Sequence, residues 1–373
     1  MKWGWILCGF ALVSCGSHLR NVPADPAWAP AVPMQSAPLH LEKTISKIGF
    51  GSCFNPANPG AEIWDEARRY GPDVFLLTGD NVYQEEEKGQ PELLELRKAY
   101  AELAALPSFR LFRQQTPLLV TWDDHDFGLN DAGASWKYKD RSMSLFRYVW
   151  ALPATDPQCL HDGVYSSKML GPIGKRVQII LLDTRYFRSD WKKTDQKNAP
   201  GKERYVPDAD PTKTLLGDEQ WAWLEAELRK PAQVRLLVSS IQIIADGHGF
   251  EAWRMLPLER QRLYRLITET RAEGVVFLSG DRHFSGYYRE TQGLPYPITE
   301  LTSSPLNIPV EDGGLEFIQK EAGPKRLGSL ISVFNFGVVE IDWTAQTVTL
   351  GVQDIHGNRV RNETLQLANL QTP

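Results

Sequence analysis

The stretch LLVTWDDHDFGLNDAG, Leu118 to Gly133, begins as a run suited to a buried strand and then crowds Asp123, Asp124, His125, Asp126 and Asp131 together. Carboxylates gathered at the end of an apolar strand repel one another, and a buried charge is costly unless it is paired or binds metal. Similar strand ends recur in Phe50-Gly51-Ser52-Cys53, in Thr78-Gly79-Asp80-Asn81-Val82-Tyr83 and in Ser279-Gly280-Asp281-Arg282-His283. In open α/β sheets, ligands bind in the crevice outside the carboxyl ends of the strands. Cys53, Asp80, Asp124 and Asp281 are therefore expected at one edge, with Gly51, Gly79 and Gly280 permitting sharp turns there. Cations are few: Arg282 and, farther along, Arg141 and Arg185.

Metal ions answer that imbalance. Oxygen donors suit Ca²⁺, Mg²⁺ or Mn²⁺, whereas phenolate, thiolate and carboxylate suit Fe³⁺ or Zn²⁺. The mixture of Asp, Cys, Tyr, Asn and His predicts two unlike ions, an arrangement that serves in-line displacement at phosphorus. Taken singly, each residue has a plainer role. Asp80 or Asp281 suits a helix cap, Cys53 a small buried hydrophobe, and Tyr83 packing. Asp123 and Asp131 read as loop or cap residues, and Glu251 and Trp253 either shape the rim or pack, with packing favoured. Joint occurrence at several strand ends favours a site.

The elements that must position these residues follow from periodicity. Apolar runs predict strands at Ile48–Ser52, Val74–Thr78, Leu118–Trp122, Val177–Leu182, Leu236–Ile243 and Val275–Ser279. Helices are predicted at 61–70, 91–106 (Pro91 in its first turn), 146–152, 218–229 and 258–272, with long loops at 123–140 and 184–215. Beyond about Pro295, strands with short turns dominate, at 331–341, 347–354 and 359–367. The body is α/β with a β-rich C-terminal portion, without a domain boundary within 45–370.

The set GSC, TGDNVY, TWDDHDFGLNDAG, LLDTRYF and LSGDRHF resembles the PhoD-like alkaline phosphatase/phosphodiesterase family of the calcineurin-type metallophosphoesterase superfamily, over essentially all of 46–355. The resemblance implies a four-layer α/β/β/α sandwich with two mixed central sheets and a dinuclear centre of Fe³⁺ and Ca²⁺, with Mn²⁺, Mg²⁺ or Zn²⁺ as alternatives. It implies that Asp80 bridges the metals, that Cys53 and Tyr83 bind iron, that Asp281 is a ligand with His283 beside it, and that Asp124 and Asn130 serve the centre, Asn130 on the calcium side. It makes His125 the transition-state histidine, with Asp126 orienting it. Arg141 and Arg185 are candidates to grip phosphate. The sequence departs from the wider superfamily where Ser52-Cys53 replaces a first Asp-x-His. It departs again where VSSIQII lacks a fourth-motif histidine, leaving Gln242 as the nearest polar residue. The family's founding members carry an N-terminal β-rich domain, for which this sequence offers only a tether.

At the N-terminus, a short apolar run ends in LVSC, Leu12 to Cys15, which matches a lipobox. Residues 1–14 are expected as a lipoprotein signal, Cys15 as the lipidated residue, 15–45 as a Pro/Ala-rich tether and 46–373 as the metallophosphatase domain. The product is then exported and lipid-anchored at the bacterial cell envelope. The formal net charge of −5 argues against a nucleic-acid partner. The expectation is a monomeric phosphoesterase acting on phosphate monoesters, diesters or both as small-molecule partners, with a non-catalytic metal- or phosphate-binding lipoprotein as the alternative.

Overall fold

Lys47–Gly51 (β1), Val74–Thr78 (β2) and Leu118–Thr121 (β3) lie side by side in parallel, with Phe50 opposite Leu76 and Leu76 opposite Leu119. A computed structural model of the chain describes residues 25–84, 90–311 and 323–372, together with residues 314, 318, 319 and 321. The signal and Cys15 lie outside the described residues. A second sheet contains Ser166–Leu170 (β4), Val177–Leu181 (β5), Val234–Val238 (β6), Val275–Ser279 (β7), Ser285–Glu290 (β8), Ile298–Ser303 (β9) and Arg326–Ile331 (β10). Its order is β10-β8-β9-β7-β6-β5-β4, and β5, β6, β7 and β9 run parallel. Asn335–Asp342 (β11), Thr347–Asp354 (β12) and Arg359–Gln366 (β13) return to the first sheet as an antiparallel meander beside β1.

Alternation along β2 shows how the layers form. Val74 and Leu76 join an apolar cluster with residues of the second sheet such as Ile179, Leu237 and Leu278. Phe75 and Leu77 point the other way, into a cluster with helix residues. Every residue of β2 is buried, as expected of a parallel strand covered on both faces. Ile63–Tyr70 (α1), Leu94–Ala105 (α2), Pro107–Gln115 (α3), Asp124–Phe127 (α4) and Lys139–Val149 (α5) belong with the first sheet. Trp64 of α1 stacks on Phe112 at 5.4 Å and meets Phe75 edge-on at 6.0 Å. Gly217–Leu228 (α6) and Pro257–Glu269 (α7) place Trp221, Leu224, Leu263 and Ile267 in the cluster of the second sheet. The layers are helices, sheet, sheet, helices. Each fully buried Leu, Ile or Phe stabilises the sandwich by roughly 1.5–3 kcal/mol.

Several elements differ from the sequence expectation. Leu93 is left-handed (φ 52°), so α2 starts at Leu94 and Pro91 precedes it. Pro107 opens α3, a helix the periodicity did not separate. α5 occupies 139–149 rather than 146–152. Its buried Ser142, Leu145, Phe146 and Val149 keep helical spacing, and Pro153 disfavours helix at Leu152. β6 stops at Val238: Ser239 Oγ donates to the carbonyl of Ile241 at 2.7 Å, and farther on the amides of Ile243 and Ile244 donate to the buried Glu300 carboxylate, at 2.9 and 2.6 Å. Residues 25–45, expected as a tether, lie against the body where described. Met34 N donates to Val149 O at 2.6 Å, Ala37 N to Arg113 O and Gly171 N to Leu41 O, both at 2.7 Å, and Ala31 and Met34 are buried. No helix among the described residues is long and apolar enough to cross a membrane.

Candidate metal centre

Parallel pairing brings the exits of β1, β2 and β3 to one edge of the first sheet and those of β6, β7 and β9 to one edge of the second. The turns there are tight. Cys53, Asp80, Asp281 and His283 all have left-handed backbones, with φ of 58, 49, 71 and 57°. Such conformations are costly for residues with side chains and persist where the surroundings enforce them, often at functional sites. Two glycines make the approach possible. A Cβ on Gly79 would fall 2.6 Å from Asp123 Cβ, and one on Gly280 would collide with Ser52 Oγ. The β2 exit thus presses on the β3 exit, and the β7 exit on the β1 exit.

Asp80 is the hub. Its Oδ1 accepts the backbone N–H of His125 at 3.2 Å, and its Oδ2 accepts the Tyr83 hydroxyl at 2.9 Å. Cys53 Sγ lies 3.5 Å from Oδ2. The Tyr83 hydroxyl is also 3.3 Å from His283 Nε2. His283 Nδ1 is 2.7 Å from the carbonyl of Ile308, which can only accept, so Nδ1 carries the proton and Nε2 keeps its lone pair for a ligand. Ser304, just past β9, accepts the His283 amide at 2.7 Å and lies 3.3 Å from Cys53 Sγ. Donor atoms converge within 4.8 Å in three groups that share Asp80: with Cys53 and His283, with Asp124 and His125, and with Asp123 and Asp281.

Burial, then the neighbouring carboxylates Asp124 and Asp123, push Asp80 well above the usual carboxyl range. Asp281, although partly open to the cleft, is driven the same way by desolvation and then by Asp123. Burial also raises the Cys53 thiol and the Tyr83 phenol, with Asp80 adding to both. Asp123 is pushed up to about 8 because burial outweighs Arg185. Asp124 goes the other way: burial opposes its charge, but His125 and Arg185 hold it below the usual range. Among the described residues, Asp123 Oδ2 and His125 Nδ1 are buried without hydrogen-bond partners. Thiol, phenol, imidazole and several carboxyls, each costly to ionise alone, fit a cationic centre, because coordination compensates deprotonated ligands.

Not every expected residue takes its expected place. Asp126 is fully buried and accepts from the amides of Asp80 (3.2 Å), Asn81 (3.2 Å) and Asp123 (2.6 Å), and from the Asn81 side chain. It ties the β2 exit to the β3 exit and does not orient His125. Arg185 is wholly buried. Its Nη1 and Nη2 donate to Glu251 Oε1 and Oε2, each at 2.7 Å, and its Nε donates to Asp123 Oδ1 at 2.6 Å. With its donors engaged, it holds acids in place rather than gripping phosphate. Arg141 is exposed on α5, stacked 5.2 Å from the Trp28 ring and away from the cleft. Gln242 is buried against Thr302 and His248, also away from the cleft. Cys53 and Cys159 are both free thiols.

The centre forms the floor of a cleft of about 320 Å³, lined by Asp80, Asp124, His125, Asn130, Asp281 and His283, and higher up by Asp131, Arg204, Phe250 and Arg282. The sequence reading missed Ser304 and Arg204 and favoured packing for Glu251, which lines the cleft. Glu251 comes from a loop far from any strand end. Burial works against its charge, but Arg185 and Arg188 outweigh that and hold the carboxyl below its usual range. Ser304 ends a parallel strand, β9, whose short run past Pro295 gave no sign of its direction. Asp131, read as a loop residue, lines the cleft and accepts from Arg204 (3.0 Å) and Tyr205 (2.6 Å). Its carboxyl is pushed up to about 7, by burial first and then by Glu251 and Asp124.

The sequence profile of PhoD-like phosphatases matches residues 48–351. Alkaline phosphatase D of Bacillus subtilis (strain 168) is 26% identical over 244 residues, which span 60% of this chain and 40% of that relative's length. A solved structure of PhoD superposes with a TM-score of 0.64 at 17% identity, covering 88% of this chain and 74% of that one, a likeness of fold. The profile spans both sheets and every strand exit that carries a donor, from Cys53 to His283 and Ser304, and on this ground the chain belongs to the PhoD-like phosphatase family.

Proposed function

We propose that the protein is a metal-dependent phosphoesterase, exported and anchored at the cell envelope through a lipid on Cys15, that hydrolyses phosphate monoesters, diesters or both. The observation that carries the reading is Asp80, a single buried carboxylate shared by three converging donor groups at the floor of an open cleft. Cys53, Tyr83 and His283 supply soft and phenolic donors suited to Fe³⁺, while Asp124 and Asn130 supply oxygen donors suited to Ca²⁺. Bound there, such ions would lower the pKa of water and neutralise phosphoryl oxygens.

The chain's own residues do the rest. His125 lines the cleft, its backbone N–H fixed to Asp80 and its ring 4.1 Å from the Tyr83 ring, and it donates a proton to the leaving oxygen as general acid. Arg185 pins Asp123 and keeps Glu251 an anion behind the floor. Arg204 and Arg282 give the cleft wall the positive charge that draws an anionic ester inward. Asp126 keeps the β2 and β3 exits in register so that Asp80 and His125 stay together.

The test is hydrolysis of p-nitrophenyl phosphate and bis(p-nitrophenyl) phosphate by the purified chain, with metal analysis of the same sample. Turnover of at least one ester by protein that contains iron and calcium is expected. Metal-loaded protein that binds phosphate and turns over neither ester would replace this reading with a non-catalytic binding lipoprotein. Mass spectrometry of the membrane-extracted protein should show a lipid-modified Cys15 as its first residue, and a soluble product cut elsewhere would remove the anchor.

A further inference from the structure

The lining of the cleft combines two kinds of side chain. Asn130 and Asp131 are polar. Phe250, Val310 and Ile318 are apolar, and the last two pack with Phe284 and Leu330 in a small apolar cluster separate from the two main cores. Arg282 joins these apolar parts. Its guanidinium lies 4.8 Å from the Phe250 ring centre and 5.2 Å from that of Phe284, and its Nη2 donates to Glu321 Oε1 at 2.7 Å. Among the described residues its buried Nη1 has no hydrogen-bond partner. Arg204 approaches the Phe250 ring at 5.6 Å while holding Asp131.

Phe250 is thus a half-buried ring in the cleft lining, contacted by two guanidinium groups. Planar arginines stacked on an aromatic ring are pre-organised and lose little freedom when a ligand arrives. A largely apolar wall with a few converging polar groups is the usual composition of a small-molecule site. A phosphoryl group at the acidic floor would project its ester substituent into this lining. A sugar-like or glyceryl substituent would find hydrogen-bond partners in Asn130 and the unpartnered Nη1 of Arg282, and none in Phe250, Val310 or Ile318. A flat apolar one would stack on or against Phe250 and cover Val310 and Ile318, and aromatic pairs gain from such offset or edge contacts.

We propose that the cleft selects phosphoesters whose ester alcohol is apolar and flat, with Phe250 as the specificity-determining residue; this rests on the phosphoesterase reading above. The test uses the full metal-loaded chain and two pairs of probes. Benzylphosphonate and methylphosphonate, which cannot be hydrolysed, are compared by calorimetry. Benzyl phosphate and ethyl phosphate, whose alcohols have similar acidity, are compared by kcat/KM. The benzyl compound of each pair should be favoured about tenfold or more, the scale at which apolar pockets discriminate. Phe250→Ala should cut that preference to within about threefold, and Phe250→Tyr, which keeps the ring, should restore most of it. Equal affinity for the two phosphonates, binding of neither, or a benzyl preference untouched by Phe250→Ala overturns the proposal. If neither phosphate is hydrolysed and bis(p-nitrophenyl) phosphate is also left intact, the phosphoesterase reading fails, while calorimetry on the phosphonates still decides the character of the lining.

Discussion

Arg185 and Glu251 meet through two parallel hydrogen bonds of 2.7 Å, and both side chains are shut away from water. The same guanidinium reaches Asp123 through its Nε at 2.6 Å, and Ser240 Oγ donates to that carboxylate oxygen at the same distance. One cation therefore compensates two buried acids behind the metal centre. Removing one partner of a buried ion pair leaves an uncompensated charge, at a cost of about 3–5 kcal/mol. Arg185→Met should lower unfolding stability by that order in urea titrations and reduce the metal content of the purified protein. Retained stability with only a higher KM would return Arg185 to the role of phosphate grip.

His125 carries the second prediction. Its main-chain N–H, not its ring, is fixed to Asp80, so truncating the side chain leaves that bond intact. His125→Ala should lower kcat by about 10²–10⁴-fold, the usual contribution of a general acid. The loss should be smallest for nitrophenolate, which leaves without a proton. His125 Nδ1 or Nε2 also lies within the Asp80–Asp124 donor group. Metal analysis separates the roles: a variant stripped of metal makes His125 a ligand instead.

The site was legible in the sequence where residues end apolar strands. Cys53, Asp80, Asp124 and Asp281 each follow such a run, three of them close to a glycine, and parallel pairing does bring them together. The type of residue was readable there, but its direction was not. Asp126 was identified as part of the site, yet a carboxylate in the first turn of α4 folds back onto the amides at the helix start, away from the neighbouring imidazole. Arg141 and Arg185 looked alike in sequence, and burial separated them: one lies exposed on α5 and the other is enclosed by acids. Glu251 and Arg204 come from loops without period: nothing local pointed to Arg204, and Glu251 was singled out without its Arg185 partner being visible. In the fold, β2 and β7 were read to the residue because buried strands have sharp apolar limits. β6 was read too long because Ile241 and Ile243 are buried like strand residues although the chain has already turned at Ser239, whose hydroxyl donates to the Ile241 carbonyl.

Tyr83 distinguishes a metal centre from a packed ring. Its hydroxyl touches both Asp80 and His283, and Tyr83→Phe removes that oxygen while keeping the ring against His125. If the phenolate binds Fe³⁺, the purified protein should show a visible absorption band, and the variant should lose it with more iron missing than calcium. Asp80→Asn should lower both metals and abolish turnover. A colourless, fully active protein without iron would rule out the iron–tyrosinate assignment and leave a two-metal site of other composition.

The last prediction follows the acids when metal is withdrawn. Asp123 is pushed up to about 8 and Asp126 and Asp131 to about 7, with burial the first cause in each. In the unfolded chain an aspartate titrates near ~3.9. A carboxyl whose folded value is raised binds its proton more tightly when folded, so its stabilising contribution is full below the unfolded value and is lost as pH rises through the folded one. Chelated protein should therefore become less stable between about pH 4 and pH 8, by up to ~1.4 kcal/mol per pH unit for each such group. Metal reverses the preference for its own ligands, because coordination needs the deprotonated forms. Urea midpoints measured across that range should fall with pH in chelator and fall less, or rise, in loaded protein. Parallel curves with and without chelator would mean that these carboxyls do not face a metal site.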